Sequence, residues 1–213
     1  MVTGRTADAP RAFVQGPPES LCLDFANTCS WRGSPSPTEE LHGPADLLRW
    51  CESAGVLDPA TMHRFAEHWR AHPEAAEAGF AEAIAIREAV FRIFAAVAAG
   101  GAPAGEDLQT LNAALNAAPE RSRLRRGEAG YVWELPAERP GVPLLLAPVL
   151  WSAGDLLAGA RLARVRQCAN EKCLWLFVDD SKSGNRRWCS MASCGNRAKA
   201  HRHYARQKQK RTE

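Results

Sequence analysis

Four cysteines near the C-terminus constrain the fold of this chain more than any other feature. They form two pairs, each separated by four residues, with fifteen residues between the pairs: Cys168, Cys173, Cys189 and Cys194. Two cysteine pairs joined by a short polar segment suit a tetrahedral thiolate site for Zn²⁺, with Zn–S distances of about 2.3 Å. A segment as short as residues 161–213 buries little apolar surface, so the metal would contribute free energy to its folding. We expect one Zn²⁺ per chain.

Disulfides and an iron–sulfur cluster are alternative interpretations of the same cysteines. The first twenty residues lack the apolar core of a signal peptide, and the total of seven cysteines is odd. Disulfides of a secreted protein are therefore disfavoured. An iron–sulfur cluster, or chance clustering of buried thiols, stays open. The three cysteines outside the quartet, Cys22, Cys29 and Cys51, are most simply buried free thiols.

The length and composition of the chain are those of an ordinary globular protein. A chain of 213 residues with 46% apolar and 24% charged residues suits one medium domain and a small module. No run approaches the roughly 18 apolar residues of a membrane span. We expect a soluble, cytoplasmic protein. Because no nucleophile elbow, phosphate loop or dinucleotide fingerprint occurs, we also expect that the protein is not an enzyme.

The charge divides the chain into two unlike parts. Residues 161–213 carry fourteen lysines and arginines against four acidic residues, whereas residues 1–160 carry thirteen arginines, no lysine and twenty acidic residues. The net charge of +3 is thus the sum of +10 in the C-terminal part and −7 in the first part. A concentration of positive charge next to a predicted zinc site points to a polyanionic partner.

Apolar spacing predicts a mainly helical α+β protein in three parts. Residues 1–19 contain three prolines and no periodic pattern, which predicts a flexible lead-in. Residues 20–160 predict a helical domain with one or two strands, and residues 161–213 predict the zinc module. The expected helices cover 20–31, 44–54, 59–71, 74–98 and 105–117, followed by a strand at 131–135 and an apolar segment that becomes helical within 142–162. The first of these helices could equally be a strand, because apolar residues also alternate there.

The zinc module has the pattern of a treble clef. Residues 165–168 and 174–178 predict short strands, and residues 179–185 are rich in turn formers, so that the chain can reverse as a β-hairpin. From Cys194 to Gln209 the composition favours a helix. A knuckle, a hairpin and a second cysteine pair that opens a C-terminal helix are therefore expected.

Two segments resemble a known family. Residues 194–197 read Cys-Gly-Asn-Arg and follow Arg-Trp-Cys-Ser-Met at 187–191, which resembles the CGNR-type zinc finger. Residues 21–28 and 86–89 resemble the opening and the central helix of the ABATE domain, which typically precedes this finger. The resemblance covers nearly the whole chain. It implies that the four cysteines are the zinc ligands, and that the protein is a stress-induced transcription regulator whose N-terminal domain senses a ligand or mediates homodimerisation.

The basic residues of the zinc module are the candidates for DNA contacts. Those on the predicted C-terminal helix follow steps of three or four residues, so they share one face. The candidates are Arg186, Arg187, Arg197, Lys199, Arg202, Arg206 and Lys210. The alternatives are that this surface docks on the acidic first domain or on a protein partner, as in an interaction adaptor, or that it only solubilises the chain. Arg197 could also support the zinc thiolates by hydrogen bonds.

Four polar residues of the first domain are candidates for a small-molecule site. Asp24, Asn27 and Thr28 lie beside an apolar stripe, and Arg87 interrupts the longest predicted helix. They could line a pocket in which Arg87 serves as the cation. The commoner fate of such residues is to cap helices or to pair with buried groups, and Arg87 could pair with Asp24.

Overall fold

The protein is mainly helical and ends in a small zinc module. The computed structural model describes residues 10–55, 57–127, 130–137 and 140–200. The helices are α1 (Leu21–Ala26), α2 (Pro44–Ser53), α3 (Pro59–Ala71), α4 (Pro73–Ala98), α5 (Gly105–Ala117), α6 (Val142–Leu145) and α7 (Ala147–Ala158). The strands are β1 (Arg11–Val14), β2 (Cys29–Ser30), β3 (Thr38–Glu39), β4 (Leu124–Gly127), β5 (Gly130–Pro136), β6 (Val165–Gln167) and β7 (Leu176–Val178). The predicted fold class is confirmed.

Local signals in the sequence set the limits of the long helices. Asp58 accepts a hydrogen bond from the backbone of Thr61 and so caps α3, while Pro59 occupies its first turn. Helix α4 has 26 residues and is followed by Gly100, whose φ of +77° is in the left-handed region. Within the described part of the chain, no helix combines the length and the apolar character needed to cross a membrane.

The main core lies between α1, α4, α5 and α7. Helix α7 is buried along most of its length, which explains why its sequence is almost continuously apolar. It packs against α1 and α5, and α1 also packs against α4. The hydroxyl of Ser152 on α7 accepts a hydrogen bond from the backbone N–H of Cys22 and donates one to the carbonyl of Glu19, both at 3.0 Å. Burial raises the pKa of the Cys22 thiol to about 12, as expected of an inert core thiol.

The N-terminal segment is more ordered than the sequence indicates. Strand β1 pairs antiparallel with β5, which also pairs with β4, so the sheet has the order β1-β5-β4. Ala12 and Val14 of β1 are buried against the core, and Asp58 accepts a hydrogen bond of 2.8 Å from Phe13 N. The prediction of a flexible lead-in is therefore wrong for residues 11–14. Residues 1–9 lie outside the described residues.

The zinc module shares the core of the first domain. Strands β6 and β7 form an antiparallel pair, as the sequence predicts. Their residues Val165, Leu176 and Val178 belong to the main hydrophobic cluster, and β7 contacts both α1 and α4. A second, smaller cluster surrounds the cysteines. The module is thus packed on the helical domain and does not form a separate unit joined only by a linker.

Candidate metal centre and basic surface

The four cysteines meet at one point. Their sulfur atoms all lie within 4.8 Å of one another, and none forms a disulfide. The Sγ atoms of Cys173 and Cys189 are 3.7 Å apart, and those of Cys189 and Cys194 are 3.8 Å apart. A tetrahedron with Zn–S distances of about 2.3 Å has edges of about 3.8 Å. The geometry and the donor set therefore fit Zn²⁺.

Two different backbone turns present the cysteine pairs. In the first, Cys168 N donates to the carbonyl of Trp175 at 2.8 Å, and Cys173 N donates to the carbonyl of Asn170 at 2.7 Å. In the second, Ser190 accepts a hydrogen bond from the backbone of Ser193 and caps a short helical segment, Met191–Gly195, which continues as a helix through residues 196–200. The treble-clef plan predicted from the sequence is therefore present.

The close approach of the four sulfur atoms favours the binding of a cation. Burial, followed by the neighbouring Cys168 and Cys173, raises the pKa of the Cys189 thiol. Burial opposes ionisation of Cys194 too, but hydrogen bonds, led by one of 3.4 Å from Asn170 Nδ2, lower the pKa of its thiol. Four thiolates this close together repel one another, and a bound dication removes that repulsion. Asn170 supports one ligand by hydrogen bonding, a role that the sequence suggested for Arg197.

A buried aspartate closes the hairpin between the cysteine pairs. Asp179 accepts hydrogen bonds from the backbone N–H groups of Ser181 at 3.0 Å and Arg186 at 2.8 Å. Hydrogen bonding from Ser181 and from the Arg186 backbone outweighs the opposing effect of burial and lowers the pKa of the Asp179 carboxyl to about 2. Arg164 also donates to the backbone carbonyls of Asp179 and Ser181. This carboxylate therefore stays ionised and fixes the turn that returns the chain to Cys189.

Asn27 joins the first domain to the zinc module. Its Nδ2 donates to the carbonyl of Leu176 at 2.8 Å, and its Oδ1 accepts from Leu176 N at 3.0 Å. Nearby, a Cβ atom on Gly33 would lie 1.8 Å from the carbonyl oxygen of Glu171, so only glycine fits there. Arg161 forms an ion pair with Glu19 across the same junction and another with Asp180 within the module. The sequence indicated none of these contacts.

The other predicted ligand-binding residues also have internal partners. Arg87 is only 3% exposed and holds both carboxylate oxygens of Glu39 at 2.6 and 2.7 Å, while its Nε donates to Glu88 at 2.9 Å. Thr28 accepts from Arg87 at 3.3 Å and donates to a backbone carbonyl of α1. Arg87 therefore pairs with Glu39 and Glu88, and not with Asp24 as the sequence suggested. Asp24 is exposed on α1, and partial burial raises the pKa of its carboxyl.

These contacts give three of the four residues a structural role. The hydrogen-bonding groups of Asn27, Thr28 and Arg87 are already occupied by the protein itself, so they are poorly suited to recognise a ligand. The prediction of a small-molecule pocket at this position gains no support from the structure.

The predicted DNA-contacting residues fall into three groups. Arg186 is exposed too, but its guanidinium donates to the carbonyls of Trp188 and Cys189 and lies over the ring of Phe177, so it braces the second cysteine turn. Arg187, Arg197 and Lys199 are exposed, and none of them forms an ion pair with another described residue. The remaining three, Arg202, Arg206 and Lys210, lie outside the described residues.

The exposed arginines rest on tryptophan rings. The guanidinium of Arg187 lies 5.4 Å from the ring centre of Trp188, and that of Arg197 lies 4.6 Å from the ring centre of Trp31. Trp31 belongs to the first domain; the sequence placed it at the end of the predicted helix 20–31, whereas α1 ends at Ala26 and Trp31 lies in a loop. The signal that could have found it is a large aromatic residue in a polar Gly/Pro/Ser loop, where no core is expected.

Comparison with known families agrees with this architecture. The ABATE family model matches residues 19–160, and the CGNR zinc finger model matches residues 164–207. No curated protein was found to match the chain. The first match alone covers well over half of the sequence, and the second contains all four cysteines. The chain therefore belongs to the ABATE family, described as "Putative stress-induced transcription regulator", and its C-terminal CGNR zinc finger binds one Zn²⁺.

Proposed function

We propose that the protein is a transcription regulator that binds DNA through its zinc module. The observation that carries this proposal is that exposed basic side chains on the module are not neutralised by carboxylates of the described residues. Arg187, Arg197 and Lys199 have no carboxylate partner among the described residues, so their charge is available to phosphates. Helical residues 196–200 are followed in the sequence by the basic segment 201–213, which lies outside the described residues.

The zinc acts as a scaffold in this proposal. Four protein thiolates complete a tetrahedral site and leave no open position for water or substrate. The metal fixes the start of the C-terminal helix and thereby the direction in which its basic residues point. We propose a non-catalytic protein on this basis.

The first domain would control or assemble the DNA-binding unit. Its two candidate roles are the sensing of a signal and homodimerisation, which would place two zinc modules on one DNA site. Cysteines that bind zinc must stay reduced, and a reducing compartment keeps them so. The proposed place of action is therefore the cytoplasm.

Salt dependence of DNA binding by the full chain tests the proposal. We expect affinity for a labelled duplex to fall as salt rises, with a log–log slope of about −0.9 per phosphate contacted. The double variant Arg187→Glu/Arg197→Glu should bind at least about tenfold more weakly than the control Arg125→Glu/Arg126→Glu. The control pair is exposed on β4 and changes the net charge equally.

Two results would contradict the proposal. The first is the absence of binding by the zinc-loaded chain even at low salt. The second is unaltered DNA affinity in Arg187→Glu/Arg197→Glu together with loss of a protein partner, which would make the module a protein-interaction adaptor.

A further inference from the structure

A groove lies where the loop of the first domain meets the zinc module. Its volume is about 580 Å³, and it opens to solvent beside the zinc ligand Cys194. Its walls combine cations with aromatic rings: Trp31, Lys172, Arg187, Trp188 and Arg197. Glu171 is the acidic residue among those that line it. We call this site the Trp31 groove.

The backbone holds Trp31 in an unusual conformation. Its φ of +53° lies in the left-handed region, which bulky side chains rarely adopt. Two residues later, Gly33 approaches the Glu171 backbone so closely that no side chain fits. Strain of this kind persists only where the surrounding structure enforces it, and it is concentrated at functional sites. The loop is thus fixed on the module, with its indole under Arg197.

The two arginines of the groove are oriented before any ligand arrives. Each lies over a tryptophan ring, which restricts its rotamers while leaving N–H donors for an anion. Neither is neutralised by a carboxylate of the described residues, and Lys172 is exposed at the same groove. A phosphate bound here would therefore lose little free energy in ordering the side chains that hold it.

We propose that the Trp31 groove holds one nucleotide unit of the bound DNA. Arg187 and Arg197 bind its phosphate, Lys172 adds positive charge, and the indoles of Trp31 and Trp188 form the apolar walls for the sugar or base. Guanidinium groups combined with aromatic rings suit a nucleotide, because every nucleotide unit joins a phosphate to a flat base. The inference rests on the proposed function, and it adds that the first domain contributes a DNA-contacting residue.

A matched pair of lysine substitutions in the full zinc-loaded chain tests the groove. Lys172 and Lys182 are both exposed on the zinc module, but only Lys172 lines the groove. We expect Lys172→Glu to weaken binding of a labelled duplex about tenfold more than Lys182→Glu at the same salt. Equal affinities of the two variants would overturn the inference.

Substitution of Trp31 tests the contribution of the first domain. Trp31→Ala removes a wall and frees Arg197, so we expect DNA affinity to fall about tenfold, while Trp31→Phe keeps a ring under the guanidinium and retains most of the affinity. Zinc content and unfolding temperature show whether each variant is folded. Wild-type affinity in Trp31→Ala, with binding still lost in Arg187→Glu/Arg197→Glu, would overturn the inference and leave the proposed function standing.

The source of the nucleotide is tested with free AMP. If the groove serves the DNA strand, AMP should compete only weakly with the duplex. Tight, Trp31-dependent binding of AMP that leaves DNA affinity unchanged would overturn the assignment to DNA. Absence of DNA binding by the wild type would reject the proposed function together with this inference.

Discussion

The two parts of the molecule differ in how often a carboxylate neutralises an arginine. In the first domain, arginine side chains meet carboxylates: Arg32 and Arg87 with Glu88, Arg87 with Glu39, Arg92 with Asp107, and Arg121 with Asp155. In the zinc module, they donate to backbone carbonyls or lie on rings: Arg164, Arg166 and Arg186 in the first way, Arg187 and Arg197 in the second. A carboxylate cancels the positive charge, whereas a carbonyl or a ring leaves it in place.

Exceptions on each side sharpen the contrast. Arg161 of the zinc module pairs with Glu19 and Asp180, and it does so at the junction with the first domain. Arg125 and Arg126 of the first domain are exposed on β4 without an ion pair among the described residues. Whether an arginine pairs with a carboxylate thus depends on where it lies in the molecule. On the zinc module, the positive charge that no carboxylate neutralises lies at the surface.

The largest expected effect is that of removing zinc. Cys194→Ser should release the metal and lower the free energy of unfolding by more than about 4 kcal/mol. Because Val165 and Leu176 of the module belong to the main core, we expect the helical domain to lose stability in the same transition. Metal analysis and denaturant unfolding provide the measurement, with the half-buried Cys29→Ser as control. Retention of one Zn²⁺ by Cys194→Ser would contradict the four-thiolate site.

The next effect concerns the buried ion pairs of the first domain. Arg87→Met should lower the free energy of unfolding by about 2 kcal/mol, because it leaves the part-buried Glu39 without its bidentate partner. The control Arg49→Met breaks an exposed pair with Asp46 and should cost no more than about 0.5 kcal/mol. Equal effects in the two variants, measured by urea unfolding, would show that Arg87 is not part of a buried network.

The same network predicts a pH dependence. Burial opposes ionisation of Glu39, but hydrogen bonds led by that from Arg87 lower its pKa below the ordinary 4.5. A carboxyl with a lowered pKa stabilises the fold above its unfolded pKa, and this contribution is lost as the pH falls. The difference in unfolding free energy between the wild type and Arg87→Met should therefore shrink as the pH falls below 4.5. If this difference in unfolding free energy did not depend on pH, the effect of Arg87→Met would come from lost packing and not from the ion pair with Glu39.

A smaller effect is expected at the junction of the two parts. Asn27→Ala removes both hydrogen bonds to Leu176 and leaves the buried N–H and carbonyl of that residue unpaired, at a cost of about 1–3 kcal/mol. Asn116→Ala, on the exposed side of α5, is the control and should change stability little. If Asn27 contacted a small ligand instead, its replacement would leave the stability of the free protein nearly unchanged.

What the sequence predicts well is local. The cysteine spacing identifies the metal site, and the limits of α3 and α5 follow from a cap, a proline and apolar periodicity within a few residues. Strand β1 was missed because only two of its side chains are buried and its partner β5 lies more than a hundred residues away in the chain. A strand this short carries no periodic signal of its own.

The roles of the predicted site residues also depend on partners that the local sequence does not reveal. Asn27 looks like a pocket residue in the sequence, because its partners are the backbone N–H and carbonyl of Leu176 and no side-chain pattern reveals backbone partners. Arg186 and Arg187 are adjacent in sequence and both exposed, yet Arg186 donates to carbonyls of its own turn, whereas Arg187 lies over the ring of Trp188. Their difference depends on the fold of the hairpin, and charge counting cannot separate them.

Arg187→Ala should have the smallest effect on stability and yet a clear effect on DNA binding. Arg187→Ala removes an exposed guanidinium whose described contact is with the ring of Trp188, so the free energy of unfolding should change by no more than about 0.5 kcal/mol. The same change should weaken DNA binding about tenfold, because it deletes a cation that no carboxylate compensates. Arg126→Ala is the matched control, an exposed arginine on the other part of the molecule. If both variants reduced affinity equally, DNA would sense only the net charge of the protein; if only Arg187→Ala does, the unpaired arginines of the zinc module are the contact surface.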